Sequence, residues 1–287
     1  MTMKLTRPKI GAHVSAAGGA YKAIANAEHI GAECIQIFGG SPKMWRAKQL
    51  DEAVLKKYLT LKKSSTLGNV YLHASYLVNL GSDKAANREN SVLSLIDHMM
   101  IAEQLGACGV IFHLGSSMSG TKAEALEFTV RGMSEVLKQV PGTSWLIMEN
   151  SAGGGNKLGL DFGEVGEIMK RADSERVKVC LDTAHIFEAG GIDEYSPSKI
   201  KALCDDFDRE VGLDKLVTLH INDSKTPYNS HHDRHENIGD GHIGLDGFTH
   251  LAKEKRLWDK DWLLEVPGFD NQGPDAKNIQ ILKGLFT

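Results

Sequence analysis

The sequence predicts one closed barrel of eight parallel strands wrapped by helices, a (β/α)8 barrel spanning residues 1–287 as a single domain. Three observations lead there. Short apolar runs alternate with longer amphipathic stretches, each kind occurs eight times, and no Pro- or Ser-rich linker interrupts the alternation.

The runs that read as strands are Ile10–Val14, Cys34–Phe38, Val70–His73, Val110–His113, Trp145–Glu149, Val177–Asp182, Leu216–Ile221 and Trp262–Glu265. Their nearly continuous apolar character suits strands covered on both faces. Helical periodicity occupies Ala20–His29, Asp51–Lys63, Ser91–Leu105, Thr121–Gln139, Asp161–Arg171, Pro197–Val211, Asp246–Lys255 and Asp275–Leu285. In Ser91–Leu105 the residues Val92, Ile96, Met99 and Glu103 recur at helical spacing. Thr121 and Glu124 have the spacing of a capping box. Gly31, Gly68 and Gly106 stand where helices should end. Strand–helix alternation dictates parallel strands with right-handed crossovers. Eight such units in 287 residues suit a closed barrel better than an open sheet. Asp223–His242 reads as a long loop, which marks function rather than a domain boundary.

Composition sets the class of molecule. Hydrophobic residues make up 41% and charged residues 24%, which excludes wholesale disorder. Lys and Arg number 33 against 37 Asp and Glu, so the net charge of −4 excludes a generally basic nucleic-acid coat. A local basic patch or bound cations stay compatible with it. No apolar run reaches the roughly 20 residues of a membrane span. Met1–Lys9 is basic but no apolar segment follows, so no signal peptide is expected. Cys34, Cys108, Cys180 and Cys204 show no CxxC spacing and read as free, buried thiols of a reducing compartment. The cytoplasm is the expected location.

Six successive strands carry a metal-capable side chain at or near their C-terminal end: His73, His113, Glu149, Asp182, His220 and Glu265. In such a barrel these ends converge on one rim, where active sites form. One histidine there is ordinarily a core residue, but six consecutive strands are not explained by core packing. His185 follows Asp182 by three residues, so a helical turn returns it to the same side. Asp233 and His235 are separated by one residue and share a side of an extended segment. Five imidazoles and four carboxylates exceed one tetrahedral zinc and suit two or three divalent ions. Mixed nitrogen and oxygen donors fit zinc, manganese or ferrous iron rather than calcium. Two such ions roughly 3.5–4 Å apart do hydrolysis, activating water and stabilising both oxygens of an in-line displacement. Glu149, near the middle of the six strands, is the candidate bridge. Three dications would turn the net charge from −4 to +2 and draw a phosphodiester to the rim.

Several segments carry a resemblance. HASYLVNLG (His73–Gly81), LDTAHIFEAG (Leu181–Gly190), HINDSK (His220–Lys225) and HDRHENIGDGHIG (His232–Gly244) resemble the signatures of the endonuclease IV type of apurinic/apyrimidinic (AP) endonucleases, also called deoxyribonuclease IV. GAHVSAAGG (Gly11–Gly19) and MENSAG (Met148–Gly153) agree, and the similarity runs from about Lys9 to the end. The resemblance implies a TIM barrel with three metal ions, usually Zn2+, with Mn2+ or Fe2+ as alternatives at one position. It implies His73, His113 and Glu149 around one ion, Glu149, Asp182, His220 and Glu265 around the second, and His185, Asp233 and His235 around the third. The implied activity is hydrolysis of the phosphodiester 5′ to a base-less site in duplex DNA, leaving a 3′-hydroxyl and a 5′-terminal deoxyribose phosphate. Its nucleophile would be a metal-bridging hydroxide, with Glu149 and Glu265 as catalytic residues. Tyr76 and Leu77 would enter the DNA, and Lys43, Trp45 and Arg46 in the loop after the second strand would contact it. Lys43 stands where many members have arginine and lacks the planar fork of a guanidinium. Ala184 replaces a common cysteine that is not a ligand. His13, at the same rim, reads as a neighbour of the ligands. His231 and His232 read as loop or phosphate contacts. A monomer without a membrane partner is expected.

Two rivals are weaker. Sugar isomerases and epimerases resembling xylose isomerase need one or two ions, which leaves His185, Asp233 and His235 unexplained. A non-enzymatic binder would bury nine polar ligands at high cost without a cation.

Overall fold

The eight apolar runs become eight parallel strands that close on themselves. They are β1 (Ile10–His13), β2 (Ile35–Phe38), β3 (Val70–His73), β4 (Gly109–His113), β5 (Trp145–Glu149), β6 (Val177–Asp182), β7 (Leu216–His220) and β8 (Asp261–Leu264). Neighbours in sequence are neighbours in the barrel, and β8 pairs with β1. The computed structural model describes residues 7–286, so the reading of Met1–Lys9 lies mostly outside the described residues.

Side chains alternate between two environments along each strand. Ile10, Ile35, Leu72, Val110, Leu146, Val179, Leu219 and Trp262 join the large core shared with the helices. Cys34, Tyr71, Ile111, Ile147, Cys180 and Leu263 form a separate buried cluster inside the barrel. Two residues further along, the same face carries Gln36, His73, His113, Glu149, Asp182 and Glu265, and on β7 His220 follows Thr218. The strand period of two thus stacks a polar layer directly above an apolar one. One register shift completes the layer. Val179 pairs with Leu216 but Cys180 pairs with Thr218, so Val217 is skipped and Asp182 lies opposite His220.

Nine helices surround the described barrel: α1 (Tyr21–Ile30), α2 (Glu52–Ser64), α3 (Ala85–Leu105), α4 (Lys122–Gln139), α5 (Phe162–Ala172), α6 (Thr183–Glu188), α7 (Pro197–Glu210), α8 (Gly244–Leu251) and α9 (Ala276–Gly284). The Thr121–Glu124 capping box is present in both directions. Gly31 and Gly106 close their helices in the left-handed conformation, at φ 76° and 62°. Gly68 does not, because α2 already ends at Ser64. Helix α3 begins at Ala85 rather than Ser91. Its first turns lack apolar periodicity and are held by Arg88, which donates to the Ser82 carbonyl at 2.7 Å and lies over the Phe128 ring. Helix α8 stops at Leu251 rather than Lys255, and Lys255–Leu257 form a separate 3-10 turn. The short α6 extends the helical turn expected at His185 to six residues, Thr183–Glu188. All four cysteines are free, with Cys108 only half-buried. No helix among the described residues is long and apolar enough to cross a membrane.

The start of β1 is pinned by Glu33. Its carboxylate accepts from both Arg7 Nη atoms at 2.7 and 2.6 Å and from the Ile10 N–H at 2.9 Å. Burial pushes this carboxyl up, but Arg7 and the Ile10 amide outweigh it and bring the pKa down to about 2. A lowered folded-state pKa stabilises above the ordinary value of 4.5, and the stabilisation is lost as pH falls towards about 2. Glu33→Gln is therefore expected to lose about 1 kcal/mol at neutral pH, after allowance for solvent screening. The gap in urea midpoint to the parent should shrink as pH falls through that window. A gap constant between pH 5 and 2 would contradict the assignment.

Candidate metal centre at the barrel mouth

The nine sequence-predicted ligands come together at the C-terminal mouth. Glu149, fully buried at the end of β5, lies at the junction. Its Oε2 is 3.1 Å from His73 Nε2 and 3.5 Å from His113 Nδ1, while its Oε1 is 3.0 Å from His220 Nδ1 and 3.4 Å from His185 Nδ1. Each carboxylate oxygen thus serves a different pair of imidazoles. Glu265 Oε2 lies 3.1 Å from His220 Nδ1, and Asp182 Oδ2 lies 3.7 Å from it. Asp233 reaches His185 Nε2 at 3.3 Å and His235 Nε2 at 3.5 Å.

Donor atoms close enough to share an ion fall into three groups: His73–His113–Glu149, Glu149–Asp182–His220–Glu265, and Asp182–His185–His235. The first two coincide with the sets that the resemblance implies. The third holds Asp182, whose Oδ2 is 3.6 Å from His235 Nε2, where the resemblance implies Asp233; Asp233 lies outside the group but 3.3 and 3.5 Å from His185 Nε2 and His235 Nε2.

The local backbone orients the rings. His73 Nδ1 donates to the Ala74 carbonyl at 2.9 Å, which leaves Nε2 to face Glu149. His185 Nδ1 donates to the Asn150 carbonyl at 3.0 Å, which leaves Nε2 to face Asp233. Asp182 caps α6 by accepting from the His185 N–H, so the cap that starts the helix also places the ligand. His185 Nε2 and His235 Nε2 are buried without a hydrogen-bond partner. Two orphaned imidazole nitrogens facing one carboxylate fit a cation.

The electrostatics agree. Burial raises the Glu149 carboxyl, but His113 and His220 outweigh it and hold it well below the usual range. Glu265 is lowered likewise, with burial opposed mainly by His220 and His13. Burial lowers His185 and His220, yet the surrounding acidic groups push both well above the usual imidazole value. The cage therefore demands positive charge, supplied by protons or by metal.

A profile described as a xylose isomerase-like TIM barrel matches residues 24–284. "Probable endonuclease 4" of Campylobacter curvus is 36% identical over 280 residues, 96% of this chain and 97% of that protein. The protein of the same description from Halothermothrix orenii is 33% identical over 276 residues, 96% and 99% of the two chains. The crystal structure of endonuclease IV from Thermus thermophilus superposes with a TM-score of 0.86 at 34% identity, covering 97% of this chain and 98% of that one. The chain belongs to the endonuclease IV family. A D-tagatose 3-epimerase-like protein with TM-score 0.74 and 18% identity shares the fold alone.

The residues that endonuclease IV resemblance assigns to DNA lie on two loops beside the cage. Tyr76 is 63% exposed, stands edge-on to Phe38 at 5.4 Å, and borders a cavity of about 1180 Å³ over the ligands. Leu77 is 37% exposed beside it. The Pro42 carbonyl accepts from both the Tyr76 N–H (3.1 Å) and Ser75 Oγ (2.9 Å), which ties the two loops together. Lys43 is exposed and Trp45 half-buried. Arg46 is committed to buried Asp97, with Nε and Nη2 at 2.6 and 2.9 Å from its oxygens. His231 is not among the cation groups, and its ring packs where a Cβ on Gly153 would meet Nδ1 at 2.4 Å. His13 flanks the cage, its Nδ1 3.4 Å from Glu265 Oε1.

Three supporting residues escape the reading of the sequence: Gln36, Asn150 and Asn222. Asn222 Nδ2 donates to Asp182 Oδ2 at 2.7 Å and its Oδ1 accepts from the Glu265 N–H at 2.7 Å. Asn150 Oδ1 accepts from the Asp182 N–H at 2.6 Å. Each asparagine follows a ligand by one or two residues, and Gln36 lies two residues beyond an inward cysteine, so strand phase was the available clue.

Asp97 also accepts from the Ala47 N–H at 3.2 Å, so it anchors the whole loop after β2. Asp97→Ala is expected to cost about 1–3 kcal/mol by leaving these donors unpaired. Faster hydrogen exchange at Ala47, with unchanged exchange in β5, should accompany the loss. Unchanged protection at Ala47 would show that Asp97 does not hold the loop.

Proposed function

We propose that this protein is a DNA-repair endonuclease that hydrolyses the phosphodiester 5′ to a base-less deoxyribose in duplex DNA, leaving a 3′-hydroxyl and a 5′-terminal deoxyribose phosphate. Membership of the endonuclease IV family supports the enzyme class. The observation that carries the reading is Glu149, which offers one oxygen to His73 and His113 and the other to His220, beside Asp182 and Glu265. A single metal ion gives no reason for that division, whereas a bridged set does. Three Zn2+ per chain is the count proposed, with Mn2+ or Fe2+ as alternatives at one position. Divalent ions bound there supply Lewis-acid charge to phosphate oxygens and acidify water.

The chain's own residues do the rest. His73 and His113 would hold one ion with Glu149. Asp182, His220 and Glu265 would hold a second with the other Glu149 oxygen. His185, His235 and Asp233 would hold the third. Glu149, Asp182 and His220 are buried while His113 and Asp233 open to the cavity, so charge held among the buried ligands would act strongly on a phosphate entering from that side. Tyr76 and Leu77 stand where side chains would occupy the space of an extruded nucleotide. A base-less nucleotide resists extrusion less because its stacking and pairing are already lost. Lys43, Trp45 and Arg46 line the flank for the backbone, with Arg46 limited to the part of its guanidinium that Asp97 leaves free.

Elemental analysis combined with gel cleavage of a duplex bearing one base-less site tests the reading. Metal bound in a ratio of several ions per chain and a single incision 5′ to that site are expected. A fully active, metal-free preparation would overturn it. Glu149→Ala should lower incision by several kcal/mol of barrier, roughly 10³-fold, together with metal content.

Tyr76→Ala should weaken binding to base-less duplex while metal content stays at the parent level. Binding of the parent should also fall steeply with added salt as phosphate contacts release counterions. Equal loss of metal in Tyr76→Ala would make Tyr76 a structural residue, and a flat salt response would contradict the phosphate contacts.

A further inference from the structure

We infer that Gln36 is a positioning residue that sets which atoms of His220 and Glu265 face a bound cation. The inference rests on the metal-dependent reading above. Gln36 is fully buried on β2, a strand that contributes no ligand, yet it lies in the same polar layer. Its Nε2 is 2.6 Å from Glu265 Oε1 and 2.9 Å from His13 Nδ1, and its Oε1 is 2.8 Å from His220 Nε2.

The chemistry of these partners leaves one arrangement. An ionised carboxylate only accepts, so the amide NH2 must face Glu265 and the amide oxygen must face His220. The amide oxygen only accepts, so His220 Nε2 carries a hydrogen and Nδ1 is the nitrogen that turns to the cage. That Nδ1 lies 3.0 Å from Glu149 Oε1 and 3.1 Å from Glu265 Oε2. Gln36 occupies Glu265 Oε1 and leaves Oε2 for the cage. One neutral amide thus selects the tautomer of an imidazole and the free oxygen of a carboxylate in the same group. A side chain that merely filled the space would do neither. Partners of this kind typically change metal affinity by about 10–100-fold when removed.

Gln36→Leu keeps the volume and removes both functions. Gln36→Glu keeps an acceptor for His220 but places an anion against Glu265. Competitive zinc titration against a chelator, read with the thermal midpoint of the metal-stripped proteins, tests the inference. In Gln36→Leu one ion per chain should bind about 10–100-fold more weakly, with the remaining ions and the affinity for base-less duplex close to the parent and the metal-stripped midpoint only modestly lowered by the unpaired His220 and Glu265. The turnover number should fall while KM changes little. Gln36→Glu should weaken the same ion. If Gln36→Leu does not fold, Gln36→Glu alone decides. Unchanged affinity for every ion in the folded variant overturns the inference. A parent protein that binds no metal tightly overturns the reading beneath it instead.

Discussion

Glu149 divides its two oxygens between two pairs of imidazoles, and everything at the mouth is arranged around that division. A carboxylate buried this completely is tolerated when surrounding positive charge or hydrogen-bond donors offset its desolvation. His220, pushed well above the usual imidazole value, provides that charge in the bare protein, whereas burial lowers His113. The same surroundings push His185 and His220 to hold protons. The cage is thus a charge-balanced set in which protons and dications are alternative occupants. Its rigidity comes from outside the set, through the Ala74 and Asn150 carbonyls and the side chains of Asn222 and Gln36.

The barrel makes this concentration of charge affordable by layering. Apolar residues fill the lumen one step below the ligands, so the cage rests on Tyr71, Ile111, Ile147, Cys180 and Leu263 rather than on water. The outward residues of the same strands pack against helices. Six of the eight strands therefore turn one face to the core and the other, at its last inward position, to the cage.

The loops over the mouth are held by polar anchors of their own. Asp97 grips Arg46 and the Ala47 amide, and the Pro42 carbonyl couples that loop to the Tyr76 loop. On the opposite side Asp223 accepts from the backbone N–H groups of Ser224, Gly239, Gly241, Ile243 and Gly244. That single buried carboxylate joins the start of the long connection after β7 to its end, while Glu188 fastens its start and middle by accepting from Ser224 Oγ and the Arg234 N–H. Exposed tyrosine and leucine at the rim are thereby presented on anchored backbone.

The barrel class, the eight strands and the six side chains that the strand ends bring to one mouth were legible in the sequence because they follow from local periodicity and from residue type at strand ends. Strand phase is a property of two or three neighbouring residues, so His73, Glu149 and Glu265 could be placed on one face without knowing any contact. Other features depend on residues far apart in the chain. The shift that skips Val217 and sets His220 opposite Asp182 is a register between two strands. The early start of α3 depends on Arg88 meeting Ser82 and Phe128. Asp182 joins the third group of donors only because the loop from Asp223 folds His235 back over β6. Gln36 looks like an ordinary polar residue in a strand until Glu265, His13 and His220 surround it. Periodicity is written in neighbouring residues, whereas the partner of a buried polar group is decided only when the barrel closes.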